Sequence, residues 1–395
     1  MIDLTTYGRA VNVTRPIVGR VTLDEQPSDR RSEFVLTSDV ANRLREGYRA
    51  VLTTAKVEPA EVPSDVFCLH SAKQISHLKT GDIVVLHQNG HVRTLFRPDS
   101  DHNALLVTER CNSFCLMCSQ PPIDRDDTEL VNINLEAIRL IQPSPASLGI
   151  TGGEPTLLGE GLFRILTELR DRLPETAIHM LTNGRRFAWP EFTELFIEAR
   201  HPKLMVGIPV YADNAFDHDY IVQASGAFDQ TIKGLHQLAL YDQPIEIRVV
   251  LHALTIPRLK QLAEFIYRNI PFAAHVALMG LEITGFTRPN IDKLWIDPFD
   301  YQTELSNAVE FLSIRGMNVS IYNHQLCLLP HSLWGFARRS ISDWKNLYLD
   351  ECSRCSVRFR CGGLFKSGLI RHSSRIGAIP PKEDGGSAYS KPPTS

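Results

Sequence analysis

Residues 111–122 read CNSFCLMCSQPP and place three cysteines, Cys111, Cys115 and Cys118, on one short segment. The segment follows ALLVTE (104–109), an apolar run that predicts a buried strand. A closed zinc site takes four ligands, often from two CxxC pairs, whereas cluster thiolates come from closely spaced cysteines on a loop. The spacing C-x3-C-x2-C therefore favours a [4Fe–4S] cluster with one iron open to an external ligand. Three buried or zinc-binding cysteines are the alternative.

Strand and helix patterns alternate along residues 101–323. The patterns predict strands at 147–151, 177–182, 204–211, 245–253, 275–283 and 317–322, and helices at 135–141, 161–173, 191–199, 228–240, 256–269 and 301–316. Such alternation predicts a parallel α/β sheet with right-handed crossovers, either a complete or partial (β/α) barrel or a doubly wound sheet. In each of these, the active site forms at the carboxyl ends of the strands, where the cysteine loop lies.

A second motif, GITGGEPTL (149–157), follows the second predicted strand. Gly152 and Gly153 let the backbone approach a ligand closely, and Glu154 with nearby backbone groups suits an ammonium group. The alternative is an ordinary strand–turn–helix connection with a solvated carboxylate. After the third strand, LTNGRR (181–186) places Asn183 either against a ligand or in a turn.

Bulk properties exclude several classes of protein. The 395-residue chain has 42 basic and 45 acidic residues, a formal charge of -3, which gives no support to nucleic-acid binding by bulk electrostatics. We find no apolar run of about 18 residues and no signal-peptide pattern, so we expect no membrane span and a cytoplasmic location. In a reducing compartment the eight cysteines favour metal or redox chemistry over disulfides.

The two ends of the chain differ from this central region. Residues 1–100 are predicted to be β-rich, with a hairpin at 81–96 around Asn89-Gly90, and they suit either a docking module or a scaffold extension. Residues 324–372 form a Cys-rich extension, and 373–395, rich in Pro, Gly and Ser, are predicted to be a disordered tail. Four thiols in the extension suit structural zinc or a fully ligated [4Fe–4S] cluster: Cys327, Cys352, Cys355 and Cys361. Cys68 stands apart and is predicted to be a buried apolar residue.

The C-x3-C-x2-C loop after the first strand resembles that of the radical S-adenosylmethionine (radical SAM) superfamily. Phe114 lies where the family has an aromatic residue, whereas Met117 departs from the aromatic that often precedes the third cysteine. The GGEP segment, about 33 residues further on, and the TNG segment match further family motifs in the same order. The resemblance implies a partial (β/α)6 TIM-like barrel in which Cys111, Cys115 and Cys118 ligate the cluster and are the catalytic residues.

The resemblance also implies a cofactor site for S-adenosylmethionine. Gly152, Gly153 and Glu154 would contact its amino group, and further contacts would come from Asn183, Tyr211, Ser225 and Arg248. The family chemistry is reductive cleavage of S-adenosylmethionine to a 5′-deoxyadenosyl radical, which removes hydrogen from an unactivated carbon. The C-x2-C-x5-C-G-G run resembles the SPASM and shorter twitch extensions of peptide-modifying members, which implies one auxiliary [4Fe–4S] cluster on the four C-terminal cysteines.

Within the superfamily, LLVTERCNSFCLMCSQPP (105–122) is similar to the His-Xaa-Ser system maturase of type C. That implies a ribosomally made precursor peptide with His-Xaa-Ser repeats as substrate. It also implies a second radical SAM maturase and a flavodoxin- or ferredoxin-type electron donor as partners. Two alternatives stay open: a radical SAM enzyme acting on a small molecule or a protein side chain, such as a cofactor-biosynthesis enzyme or sulfatase maturase, and a zinc-binding interaction protein.

Overall fold

The computed structural model describes residues 4–37, 44, 46–339 and 347–381. Two sheets organise them. The first holds eight strands: β1 (Thr5–Tyr7), β2 (Arg9–Val11), β3 (Ile17–Thr22), β4 (Phe34–Thr37), β5 (Ala50–Leu52), β6 (Cys68–His70), β7 (Ile83–Leu86) and β8 (His91–Phe96). Their order in the sheet is β1-β8-β7-β3-β4-β5-β6-β2.

Gly8 joins the two edge strands of the N-terminal sheet. Strands β1 and β2 lie at opposite edges of the sheet, yet Gly8 alone separates them along the chain. A side chain at Gly8 would clash with Leu69, and the Gly8 amide donates to the Gly90 carbonyl at 2.9 Å. The predicted hairpin is present as the antiparallel pair β7 and β8.

The second sheet contains seven parallel strands in sequential order: β9 (Asn103–Thr108), β10 (Ser147–Gly152), β11 (Ala177–Leu181), β12 (Leu204–Pro209), β13 (Ile245–Leu251), β14 (His275–Gly280) and β15 (Val319–Tyr322). Eight helices accompany them among the described residues: α1 (Thr128–Leu140), α2 (Glu160–Arg172), α3 (Pro190–Ala199), α4 (Ala215–Val222), α5 (Ala227–Ala239), α6 (Leu259–Asn269), α7 (Ile291–Leu294) and α8 (Gln302–Ile314). The predicted fold class, a partial α/β barrel preceded by a β-rich region, is confirmed.

Three helices differ from the sequence prediction, and the shortest of them, the unpredicted α7, has only four residues. α1 begins at Thr128 rather than 135, because its first half buries the polar Asn134, whose amide donates to the Leu106 and Leu130 carbonyls at 2.9 and 2.8 Å. α4 was not predicted, because it buries His218 while it exposes Phe216 and Tyr220. Both α1 and α4 therefore lack the apolar spacing that marks an amphipathic helix.

The N-terminal sheet packs directly on the second sheet's first helix. Val18, Val85 and Phe96 share one apolar core with residues of α1. The Arg20 guanidinium donates to the Leu140 carbonyl at 2.7 Å, and Arg49 pairs with Glu136 at 2.6 Å. The N-terminal region is thus fixed on the outside of the barrel.

The C-terminal extension, residues 324–339 and 347–381, consists mainly of short 3-10 turns. Leu326, Leu333 and Val357 join the core of the barrel. Residues 373–381 differ from the predicted disordered tail: Ile376 is buried against Leu328 and Leu364, and residue Ser356 donates to the Ile379 carbonyl. The rest of that predicted tail, 382–395, lies outside the described residues. Across the described ranges, no helix has both the length and the apolar character needed to cross a membrane.

Candidate active site

A cavity of about 310 Å³ opens at the carboxyl ends of the seven parallel strands. We call it the cysteine cavity. It brings together eight of the residues singled out from the sequence: Cys111, Cys115, Cys118, Gly152, Gly153, Asn183, Tyr211 and Arg248. These residues come from loops and strand ends up to 137 positions apart, and the parallel sheet places them at one mouth.

The cysteine loop is fixed by backbone hydrogen bonds rather than by regular structure. The Phe114 and Leu116 amides donate to carbonyls at the end of α4 at 3.0 and 2.9 Å. The Cys118 carbonyl accepts from the Phe286 amide at 2.8 Å. Met117, the departure from the aromatic pattern, is buried with Leu116 in a small apolar cluster beneath the loop. The loop is therefore held from both sides of the cavity.

Arg185 anchors the same loop and was missed in the sequence. Its guanidinium donates to the Asn112 carbonyl at 2.5 Å, to Ser113 Oγ at 3.0 Å and to Gln230 Oε1 on α5 at 2.8 Å. The side-chain amide of Asn183 also donates a hydrogen bond of 2.6 Å to Asn112 Oδ1. The signal was available in LTNGRR, where an arginine directly follows the loop that ends β11. Arg185 ties that loop to the segment between the first two cysteines.

Gly152 and Gly153 are required by close packing. A Cβ on Gly152 would clash with the Thr108 carbonyl oxygen, and one on Gly153 would clash with the Arg110 carbonyl oxygen. The Gly153 and Glu154 amides donate to those two carbonyls at 3.0 and 2.8 Å. The glycines thus bring the end of β10 against the entry to the cysteine loop, with their backbone on the cavity wall.

The side chain of Glu154 turns away from the cavity. It is fully buried, and its carboxylate accepts four hydrogen bonds. Oε1 accepts from the Thr156 amide at 3.0 Å and from the Thr156 and Thr182 hydroxyls, both at 2.6 Å; Oε2 accepts from the Asn183 amide at 2.6 Å. The structure thus places this carboxylate where it holds the Thr182–Asn183 turn, and leaves the glycine backbone to face a ligand.

Tyr211 forms an uncharged aromatic wall of the cavity. Its ring stacks on His218 with ring centres 5.9 Å apart, and His252 lies 6.5 Å away. Burial lowers the pKa of each histidine to about 4, so both are neutral near pH 7. Burial, together with the charge of the nearby thiols, raises the pKa of the Tyr211 hydroxyl, which therefore stays protonated and able to donate.

Arg248 lines the cavity, and Glu246 holds its guanidinium in place. Its guanidinium donates to Glu246 Oε1 at 2.6 Å and contacts Met279 Sδ at 3.1 Å. Glu246 Oε2 bonds His275 Nδ1 at 2.8 Å. Burial opposes ionisation of Glu246, but His179 at 3.5 Å, the hydrogen bond with His275 and the charge of Arg248 lower its pKa below the usual range. Arg248 thus presents a paired, fixed positive group to the cavity.

The three thiols share a buried environment. Burial, then the Glu154 charge, raises the pKa of Cys111 to about 11; burial, then the other two thiols, raises that of Cys115 to about 12. Burial also raises the pKa of Cys118. As free thiols they are protonated near neutral pH, so metal binding here must release protons.

One residue predicted from the sequence lies elsewhere. Ser225 is exposed in the turn between α4 and α5 and is not among the residues that line the cysteine cavity. The structure does not bring its side chain to the other predicted site residues.

The four C-terminal cysteines line a second, smaller cavity with apolar walls from Leu349, Val357 and Ile376. We call Cys327, Cys352, Cys355 and Cys361 the second cysteine set. Backbone amides of Leu326 and Gly363 lie 3.5 and 3.4 Å from the Cys361 sulfur, and all four cysteines are partly exposed. Cys68, by contrast, is fully buried in β6, and burial raises the pKa of its thiol to about 11.

Within the described residues, no three His, Cys, Asp or Glu side chains are arranged to hold one metal ion. Three thiols line the cysteine cavity, and four line the second cavity. Thiol-only sets suit iron–sulfur clusters, and a set of four also suits structural zinc.

Comparison with known proteins gives one family for the part of the chain that contains the cysteine loop, the GGEP segment and Arg248. Residues 105–266 match the model of the radical SAM superfamily. No curated protein sequence matches the chain.

Three solved structures are similar to parts of this chain. SuiB from Streptococcus suis is 15% identical, with a TM-score of 0.43, over 58% of this chain and 49% of that one. The anSMEcpe structure with bound AdoMet is 18% identical, with a TM-score of 0.43, over 55% and 62%. A radical SAM methyltransferase from Sphaerobacter thermophilus is 15% identical, with a TM-score of 0.44, over 62% and 74%. The match spans less than two thirds of SuiB and of anSMEcpe.

Proposed function

Because residues 105–266 match the radical SAM superfamily model, we propose that this protein binds a [4Fe–4S] cluster and S-adenosylmethionine in the cysteine cavity and modifies a ribosomally made peptide. The observation that carries the proposal is the convergence of Cys111, Cys115 and Cys118 with the glycine backbone, Tyr211 and Arg248 on one cavity. When bound, the reduced cluster supplies one electron that splits a sulfur–carbon bond of S-adenosylmethionine and yields a hydrogen-abstracting radical.

The chain's own residues bind, orient and exclude water. Three thiols would hold the cluster and leave one iron for the cofactor, and Arg185 keeps their loop in place. The Gly152–Gly153 backbone would contact the ammonium group of the cofactor, and the positive charge of Arg248 would suit its carboxylate. Tyr211 and Asn183 supply polar contacts at the wall, and the apolar cluster under Met117 excludes solvent.

The first experiment is anaerobic reconstitution followed by iron and sulfide quantitation, with electron paramagnetic resonance spectra with and without S-adenosylmethionine. The wild-type protein is compared with a variant in which Cys111, Cys115 and Cys118 are all replaced by alanine. We expect about eight irons in the wild type and about four in the variant, with a cofactor-induced spectral change in the wild type alone. Absence of iron from both proteins would contradict the proposal.

The second cysteine set is assigned an auxiliary [4Fe–4S] cluster in the same proposal. Its support is the thiol-only donor set, with two backbone amides directed at the Cys361 sulfur. Cys352→Ala should remove about four irons and leave the cofactor-induced spectral change intact. Full iron content in that variant, or stoichiometric zinc in the wild type, would assign these thiols to another role.

The substrate is proposed from the sequence resemblance to the His-Xaa-Ser maturase of type C. We therefore expect a mass change in a precursor peptide with His-Xaa-Ser repeats, in the presence of S-adenosylmethionine, a reductant and the second maturase of the system. A peptide with each repeat serine changed to alanine is the matched control. Cofactor cleavage without any mass change in either peptide would favour a small-molecule substrate.

A further inference from the structure

A further cavity lies between the two cysteine sites, at the junction of the barrel and the C-terminal extension. It has a volume of about 60 Å³. It shares three wall residues with the cysteine cavity: Gly280, Leu281 and Asn323. It shares another three with the cavity of the second cysteine set: Gln325, Gly363 and Leu364. We call it the junction cavity.

The volume of the junction cavity limits what can occupy it. One water needs about 10–15 Å³ of such volume, so this cavity holds about four to six atoms of that size. One amino-acid side chain has that many heavy atoms, whereas a nucleotide has far more. Because the junction cavity adjoins the cysteine cavity, its size suits one side chain, or the chain end, of a substrate peptide.

Ser367 gives the junction cavity a polar group without a partner. The residue is only 8% exposed, and its hydroxyl has no hydrogen-bond partner among the described residues. A buried polar group without a partner is unfavourable, so a hydroxyl of this kind at a cavity indicates a ligand or a water that completes it. The charge of the surrounding residues decides which kind of ligand that is.

Arg371 gives the junction cavity its positive charge. Its guanidinium carbon lies 4.0 Å from the centre of the Trp295 ring, and stacking of this kind leaves the in-plane N–H groups able to donate. Asp292 pairs with it only at 3.7 Å, and that carboxylate is 94% exposed and therefore screened by water. Among the described residues that line the cavity there is no Asp or Glu. The cavity therefore suits an anion and disfavours an ammonium group or a metal cation.

Four of the other polar side chains on the walls already have partners. The Tyr301 hydroxyl bonds His324 Nε2 at 2.8 Å, and His372 Nδ1 bonds a backbone carbonyl at 2.9 Å. Gln325 and Asn323 donate to backbone carbonyls at 2.7 and 3.3 Å. The hydroxyl of Ser367 and the guanidinium of Arg371 are thus the two donors that suit a ligand.

We propose that the junction cavity binds a carboxylate of the substrate peptide and that Ser367 and Arg371 select it. A carboxylate accepts from a hydroxyl and a guanidinium at the same time, and hydrogen bonds to an ionised acceptor are the stronger kind. The carboxylate belongs either to an Asp or Glu side chain or to the C-terminus of the peptide. The inference rests on the proposed function, because it takes a peptide as the substrate. A carboxylate held here would place the neighbouring residues of the peptide at the cysteine cavity.

The test measures the affinity of four short peptides for the reconstituted full-length protein with S-adenosylmethionine, by anaerobic fluorescence anisotropy. Each is a labelled pentapeptide of Gly and Ser around one central residue. Three have an amidated C-terminus and a central Glu, Asp or Gln; the fourth has a central Gln and a free C-terminus. We expect at least one carboxylate peptide to bind about tenfold more tightly than the amidated Gln peptide. The peptide that binds most tightly identifies the source of the carboxylate.

Two variants test the selecting residues. Arg371→Gln removes the charge and Ser367→Ala removes the hydroxyl, so each should reduce the preference for the carboxylate by about threefold or more. The affinity for the amidated Gln peptide should change by less than about twofold, since that peptide lacks the group they bind. Arg375→Gln is the matched control and should keep the preference. Its guanidinium carbon also lies over a ring, 4.3 Å from the centre of Phe299, but Arg375 does not line the junction cavity.

Stability distinguishes a hydroxyl that binds a ligand from one that holds the fold. Ser367→Ala removes a buried group that has no partner among the described residues. The midpoint of urea unfolding of the cluster-free protein should therefore stay the same or rise. A lower midpoint would overturn the assignment of Ser367, because it would show that the hydroxyl is bound within the protein.

Three results would overturn the inference as a whole. They are equal affinities for the carboxylate and amidated Gln peptides, a preference that is unchanged in both Ser367→Ala and Arg371→Gln, and no binding of any of the four peptides. Failure of the proposed function is seen separately, because iron content and the cofactor-induced spectral change are measured on the same preparation before any peptide is added.

Discussion

Glu154 offers the sharpest distinction between a residue that touches a ligand and one that positions the residues that do. Its carboxylate is buried, and the Thr156 and Asn183 amides approach its two opposite oxygens, at 3.0 and 2.6 Å. In Glu154→Gln, either orientation of the new amide directs an N–H at one of these backbone donors. Hydroxyl groups can rotate away from that conflict, but backbone amides cannot.

The expected loss follows from these contacts. One charge-assisted hydrogen bond is removed, worth roughly 1.5–3 kcal/mol, and one backbone donor is left unpaired, at roughly 1–3 kcal/mol. We therefore expect Glu154→Gln to lower the free energy of unfolding by about 3–5 kcal/mol, a large part of the usual total of about 5–15 kcal/mol. Urea unfolding of the cluster-free protein measures it, with Glu160→Gln, an exposed carboxylate in the first turn of α2, as the control.

A double-mutant cycle identifies the mechanism. Thr182 Oγ donates to Glu154 Oε1 at 2.6 Å, so Thr182→Val and Glu154→Gln should show a coupling energy of about 1–2 kcal/mol. If Glu154→Gln unfolds like the wild type but binds S-adenosylmethionine more than about tenfold less tightly, the carboxylate faces the ligand and our reasoning is refuted.

Three further predictions concern the stability of single-residue variants. Arg185→Gln should destabilise the protein by roughly 2–4 kcal/mol and lower its iron content, because the cysteine loop loses two donors; urea unfolding and iron assays check both. Gly153→Ala should cost about 1–3 kcal/mol through its clash with the Arg110 carbonyl, while Gly335→Ala, in open space, should not. Burial lowers the pKa of His324 to about 4, so the folded state binds a proton less readily than the unfolded chain does. Stability should fall as pH drops from about 6.5 towards 4, by up to about 3 kcal/mol, and His324→Gln should reduce that dependence in urea unfolding at pH 7.5 and 5.

The sequence predicted the placement of motifs better than the direction of side chains. Loops that follow parallel strands must meet at one edge, so the cysteine loop and the GGEP segment could be placed together before the structure was known. The direction of Glu154 depends on Thr182 and Asn183, 28 and 29 positions away. Periodicity carries no information about such partners. The same limit explains Ser225, whose neighbours in sequence resemble a cofactor-binding segment but whose turn faces solvent.

Composition was least informative where a segment packs on a surface formed by other elements. Residues 373–381 have the Pro, Gly and Ser content of a tail, yet Ile376 and two carbonyl groups near Ile379 find partners on the C-terminal extension. Arg185 was missed for a related reason, since an arginine after a turn is most often solvated. Arg185 is instead bound to the carbonyl of Asn112, which lies 73 positions earlier in the chain.

The two cysteine sites belong to one packed body. Asn323 lines the cysteine cavity directly after β15, in a left-handed conformation with φ of 60°, and Cys327 follows four residues later. Between them, the Gln325 amide donates to the Gly363 carbonyl at 2.7 Å, next to the loop that carries Cys361. Because Leu326 and Val357 also join the barrel core, no hinge separates the two sites along this stretch. A group held by the second cysteine set would therefore lie at a distance from the cysteine cavity that the fold fixes.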